Sequence, residues 1–147
     1  MKNFCGNFIV ILFTCVLMYS CELETSGNGK LDGMWHLISV DTLKTSGVNN
    51  ISHDMIYWSF QNKLLELDDK TGANNSVLFR FKMSDGVLKL YSPYIYDREN
   101  GDRPLTNIIM LSPFGVNELN EDFIVEGLDG GKMILRSDRL RLKFKKM

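Results

Sequence analysis

Histidine and cysteine are too scarce in this sequence to build a zinc site by themselves. It holds two histidines, His36 and His53, and three cysteines, Cys5, Cys15 and Cys21. Zinc sites draw three or four ligands from His, Cys and carboxylates. Cys5 and Cys15 fall in a segment read below as removed, so carboxylates would have to be recruited. No metal and no cofactor are expected. Nucleophile motifs are missing too: no G-x-S-x-G elbow occurs. The acidic pairs Asp68-Asp69 and Glu121-Asp122 lie beside turns, where nothing apolar is expected to raise a carboxylate pKa. No catalytic residue is assigned, and the chain reads as a non-enzyme. A positive excess is also lacking, with 17 basic against 18 acidic residues. That balance gives no electrostatic drive toward nucleic acid. Finally, no apolar run reaches the ~20 residues of a membrane-spanning helix.

What the chain does have begins at its N-terminus. "MKNFCGNFIVILFTCVLMYS" places Lys2 ahead of an apolar stretch from Phe8 to Met18, the charged and apolar regions of a secretory signal. "LMYSC" follows, with Leu17 four residues before Cys21 and Ser20 immediately before it. This resembles a bacterial lipobox, although Met18 and Tyr19 are bulkier than the residues usual there. The resemblance implies cleavage before Cys21 and acylation of that cysteine. Its location would then be the bacterial cell envelope, lipid-anchored to a membrane, the outer one favoured, with the domain in the periplasm or at the cell surface. Removal of residues 1–20 leaves Cys21 without a disulfide partner, and acylation would cap an otherwise free thiol.

The remaining 127 residues (147 − 20) suffice for one domain with one core. Residues 21–30, polar and Gly/Ser-containing, read as a flexible tether, and residues 31–147 as the domain. From there the hydrophobic period is two. In "SVLFRFKM" Val77, Phe79, Phe81 and Met83 share one face, and in "RLRLKFKK" Leu140, Leu142 and Phe144 alternate with cations. Further β-rich runs are "MWHLISVD", "DMIYWSFQ", "KLLELDD", "GVLKLYS", "TNIIMLS", "DFIVEGL" and "KMILRS", giving nine strands. The Asp-Gly and Gly-Gly signals in "SDGV" and "LDGGKM" mark tight hairpins. "SPFGVNELNED" has room for one helical turn. The pattern predicts an all-β fold, an up-and-down antiparallel β-barrel of eight to nine strands, because closure removes exposed edges. A sandwich would satisfy the same pattern.

Gly33-Met34-Trp35 opens the first strand, and this G-x-W resembles the start of lipocalins and fatty-acid-binding barrels. The closing stretch "EDFIVEGLDGGKMILRSDRLRLKFKKM" is similar to that of bacterial lipocalin-like lipoprotein domains. The resemblance spans residues 31–147. It implies a lipocalin-like barrel that binds a small apolar or amphiphilic molecule, and an arginine packed over Trp35, for which Arg139 and Arg141 are the candidates. Trp58, Phe60, Phe79, Phe81, Leu90 and Phe144 are expected to point inward, lining a cavity or filling it. Trp35 is expected as a barrel plug or a ligand contact. Tyr94 and Tyr96 fall in "YSPYIYDRENGDRPLTN", read as the longest loop, suited to stacking on a ligand or to a protein contact. Partners are therefore a small hydrophobic ligand, the membrane, or another protein met through the tyrosine loop, the last without any internal ligand. The domain itself is expected to be monomeric.

Overall fold

A computed structural model describes residues 27–147. The signal segment and Cys21 lie outside the described residues. Ten strands follow one another: β1 (Gly33–Thr42), β2 (Gly47–Asn50), β3 (Ile56–Gln61), β4 (Leu64–Asp69), β5 (Val77–Ser84), β6 (Val87–Ile95), β7 (Arg103–Pro104), β8 (Glu121–Leu128), β9 (Lys132–Arg136) and β10 (Leu140–Lys146). Eight of them close a barrel in the order β1-β3-β4-β5-β6-β8-β9-β10, and β10 returns to pair with β1 from Trp35↔Lys146 to Thr42↔Leu140. All pairings are antiparallel. The short β2 and β7 lie outside the ring, β2 against the C-terminal half of β1 and β7 against the end of β6.

Alternation along the strands decides what enters the core. Trp35 and Leu37, Trp58 and Phe60, Leu65 and Leu67, and Val77, Phe79 and Phe81 face inward, and all are buried. Their registers match: Trp35 lies opposite Trp58, and Phe60 opposite Leu65, so each layer is filled from neighbouring strands. Burying a large apolar side chain is worth about 1.5–3 kcal/mol, which makes this single core the main source of stability.

The chain crosses between two ends. At the first lie the entry to β1, the turns β3–β4, β5–β6 and β8–β9, and the end of β10. A short 3-10 helix, Gly29–Leu31, covers this end and buries Leu31, while Asn28 Nδ2 donates to the Asn62 carbonyl. The fold thus begins slightly ahead of Leu31. The opposite end is covered by residues 105–116, of which Ile108–Phe114 form a second 3-10 helix. Leu105, Leu111, Phe114 and Val116 point down into the barrel, and Trp58 Nε1 donates to the Phe114 carbonyl at 3.1 Å.

Two expectations are corrected here. "TNIIMLS" is not a strand: Asn107 caps Ile109 N–H, Pro113 sits inside the following turns, and Gly115 at φ 78° terminates them in the left-handed region. The tyrosine segment is not a single long loop, because β6 continues to Ile95 and carries Tyr91 and Tyr94 within it. A bulge at Ser92 (φ 52°) shifts the register opposite Phe79 and accommodates Pro93, whose carbonyl accepts from Leu105 N–H.

Candidate functional site

The interior is where a carried ligand would sit, and the chain fills it. Trp58 lies at the centre, with its ring 5.0 Å from Phe144, 5.8 Å from Phe123 and 6.4 Å from Phe60. Phe60 meets Phe81 edge-on at 5.1 Å. Tilted and edge-to-face contacts at these distances are the favoured aromatic packing. A void able to hold even one water would leave its lining side chains accessible to water. Trp35, Trp58, Leu65, Phe79, Leu90 and Phe123 are each 0 % exposed. Of the seven side chains singled out for ligand contact, the five inward ones, Trp35, Trp58, Phe60, Phe79 and Phe81, therefore meet the protein's own core.

Trp35 closes the end at which β1 begins. Its Nε1 donates to the Leu31 carbonyl at 2.9 Å, and the ammonium of Lys146 stands 5.0 Å from the ring centroid. The Lys146 stem runs over Gly33, where an added Cβ would lie 3.2 Å from Lys146 Cε, at φ 105°. This explains the glycine of the G-x-W in physical terms. The cation over the tryptophan is Lys146, not Arg139 or Arg141. Arg141 lies toward the other end of β10 and bonds Glu126, and Arg139 lies in the turn before that strand. Sequence reasoning missed Lys146, although its register opposite Trp35 follows once the last strand is paired with the first.

Tyr94 shares a cleft with Phe79, whose side chain stays buried, and Tyr96 lies apart from the inward aromatics. Tyr94 faces outward beside Leu64, Leu78 and Arg80 at a small open cleft of ≈ 250 Å³. Tyr96 lies past the end of β6 and hydrogen-bonds Arg98, whose guanidinium also packs over its ring.

The outer surface offers a larger feature on the side of the barrel toward the far end. Lys89 and Tyr91 of β6, Glu121 and Asp122 of β8, and Ser137 and Arg139 of the β9–β10 turn border an open groove of ≈ 660 Å³. Through Glu118, Asn120 and Arg139 it adjoins a shallower depression reaching Ile108. Lys89 and Asp122 approach to 3.8 Å across it, both exposed. Glu121 is buried, and that burial holds its pKa above the ordinary carboxylate value. Hydrogen bonds from the Asn117 backbone and side chain act in the opposite direction without cancelling it. Among the described residues no three His, Cys, Asp or Glu side chains cluster as metal ligands would.

A closed eight-stranded antiparallel barrel, entered through G-x-W with a cation over the tryptophan, is the architecture of a lipocalin-like protein. The sequence matches the lipocalin-like domain family over residues 15–147, and the chain belongs to that family. Solved structures agree on the fold. A lipocalin-like protein from Bacteroides uniformis is 16 % identical and superposes with a TM-score of 0.62, covering 81 % of this chain and 100 % of its own. An uncharacterized protein from Bacteroides eggerthii is 19 % identical with a TM-score of 0.57, covering 80 % of this chain and 99 % of its own. No curated protein matches the chain.

Proposed function

We propose that this chain is a lipid-anchored protein of the bacterial cell envelope whose barrel is a rigid, non-catalytic stand for recognition at its outer surface. One observation carries the reading: the interior is filled by the chain's own side chains, so the usual place for an apolar ligand is taken. Recognition then falls to the exposed features, namely the groove between Tyr91 and Arg139, the Tyr94 cleft and the exposed Ile108 and Ile109, and a protein is the partner that such open surfaces suit. The anchor is Cys21, on the strength of the lipobox-like "LMYSC".

A carrier function, the other reading of a lipocalin-like fold, would require the segment bearing Leu111, Phe114 and Val116 to withdraw. Native mass spectrometry of the domain isolated from its host, repeated after denaturation, separates the two. We expect a clean apo mass. A reproducible adduct that leaves on unfolding would overturn the filled-barrel reading. The anchor is tested on the full chain by intact mass and by Cys21→Ser: acylation lost with membrane association is expected, and an unmodified wild-type Cys21 would refute it.

A further inference from the structure

The end of the barrel that carries the tether has a composition unlike the other. Its turns and strand ends hold Lys30, Lys63, Lys132, Lys145 and Lys146 against Asp32, Asp85 and Asp129. Two of those aspartates are occupied locally. Asp32 accepts from Asn28, and Asp129 accepts from the backbone N–H groups of Gly131 and Lys132, which hold its pKa below the ordinary value. Among the lysines are exposed apolar side chains: Met34 at 39 % and Met147 at 68 %, held side by side by the Met147 N–H to Met34 carbonyl bond. At the opposite end the connections, with β7, carry six acids (Asp54, Asp97, Glu99, Asp102, Glu118, Asp138) against Lys44, Lys70, Arg98, Arg103 and Arg139, and the last two residues of each strand there add Asp41, Asp68, Asp69, Glu121 and Asp122 against Arg136 and Arg141. The two ends thus differ in sign.

We propose that the tethered end is a membrane-apposed face, with the lysines on anionic phospholipid headgroups and the methionines at the headgroup boundary. The inference rests on the anchor reading for its geometry. Cys21 stands seven positions before Asn28, the first of the described residues to bond the barrel. Whatever its conformation, such a segment spans at most about 25 Å. β1, ten residues long, extends about 33 Å along itself and roughly 25 Å along the barrel axis at the usual strand tilt, so turning the domain over would take the tether's whole reach, and the end that bears the tether is the one kept near the bilayer. Lysines within a Debye length of an anionic surface, ~10 Å, each strengthen attraction by roughly fivefold in partitioning. Lysine stems and methionines also suit the boundary itself, since the stems lie along apolar material while the ammonium stays in water. The grooves at the far end are then presented away from the membrane.

The test uses residues 27–147, which form a closed barrel with its own core and no anchor. Flotation with vesicles of phosphatidylcholine is compared with vesicles carrying about 30 % phosphatidylglycerol at low salt. Binding only to the anionic vesicles is expected, released by high salt. The variant K30Q/K132Q/K145Q should lower partitioning on the order of 100-fold, whereas the far-end variant K44Q/K70Q/R103Q should leave it unchanged. Lys146 is kept because it packs on Trp35, and a circular dichroism melt confirms that each variant folds. Equal binding to both vesicle types, no binding, or dependence on the far-end cations would overturn the proposal. Failure of the anchor reading is separate: it appears as unacylated Cys21 in the full chain, whatever the isolated domain does.

Discussion

Gly115 ends the helical turns that close the far end of the barrel, and Gly115→Ala should be among the most damaging single-methyl additions in the chain. Two costs combine. At φ 78° an alanine sits in the left-handed region, at about 1–2 kcal/mol. Its Cβ would also lie 2.7 Å from Leu142 Cδ2, closer than carbon atoms approach, and Leu142 is fully buried, so either the leucine or the closing segment must move. Overpacking of this kind costs about 1–3 kcal/mol, and the sum is about 2–5 kcal/mol. Gly86, at φ 74° in the β5–β6 turn, isolates the first contribution because nothing lies within 4 Å of its Cβ position. Gly86→Ala should therefore cost only about 1–2 kcal/mol. Urea unfolding followed by tryptophan fluorescence measures both, and at an m of ~1–3 kcal/mol per molar each kilocalorie moves the midpoint by roughly 0.3–1 M. If the two variants lose the same stability, Leu142 is not packed against residue 115 and the closing segment does not seat as described.

Three further outcomes follow from side chains already placed. Asp69 accepts from Thr71 N–H, Thr71 Oγ1–H and Asn74 Nδ2–H, and these bonds hold its pKa below the ordinary value, the Thr71 hydroxyl contributing most. Stability from this loop is thus present above the unfolded-state pKa and lost as pH falls through the folded one. Asp69→Asn should cost about 1–2 kcal/mol at neutral pH and approach wild type in acid, as read from chemical denaturation at several pH values. Glu121 runs the other way. Its raised folded pKa means that the contribution is fully present below the unfolded value and lost as pH rises through the folded one, so Glu121→Gln should melt at or above wild type at neutral pH, and a clearly lower Tm would contradict this. Lys146→Ala should lose about 1 kcal/mol and alter Trp35 emission, while Lys146→Arg retains both. Equal loss in the two variants would show that the cation over the ring is not what matters.

The barrel was legible because period-two alternation survives in strands with one buried face. Val77, Phe79 and Phe81, or Leu142 and Phe144, declare both the strand and its inward side. Where other forces act, the signal fails. Ile108–Leu111 is apolar and β-prone, but the Asn107 cap, Pro113 and left-handed Gly115 turn the backbone into 3-10 helix. Pro93 resembles a strand breaker until the Ser92 bulge gives it a place without a ladder donor. The cation over Trp35 was sought among arginines, whereas the β1–β10 register, a long-range property, puts Lys146 there. Whether the inward aromatics line a cavity or fill it was open in the sequence, since alternation gives direction and not volume. The structure answers with side chains that touch one another across the barrel axis.

The seam between β1 and β10 joins residues that are 111 positions apart, Trp35 and Lys146 (146 − 35). The chain emerges N-terminus first, so the first strand must wait for the last before the ring can shut. Until then β1 and β9 present open edges, the arrangement from which strands recruit one another between chains. A sheet of this kind folds slowly, because its decisive contact is also its longest. A chain that has not yet brought in β10, Leu140–Lys146, cannot complete the ring, so the fold stays open until its last strand arrives.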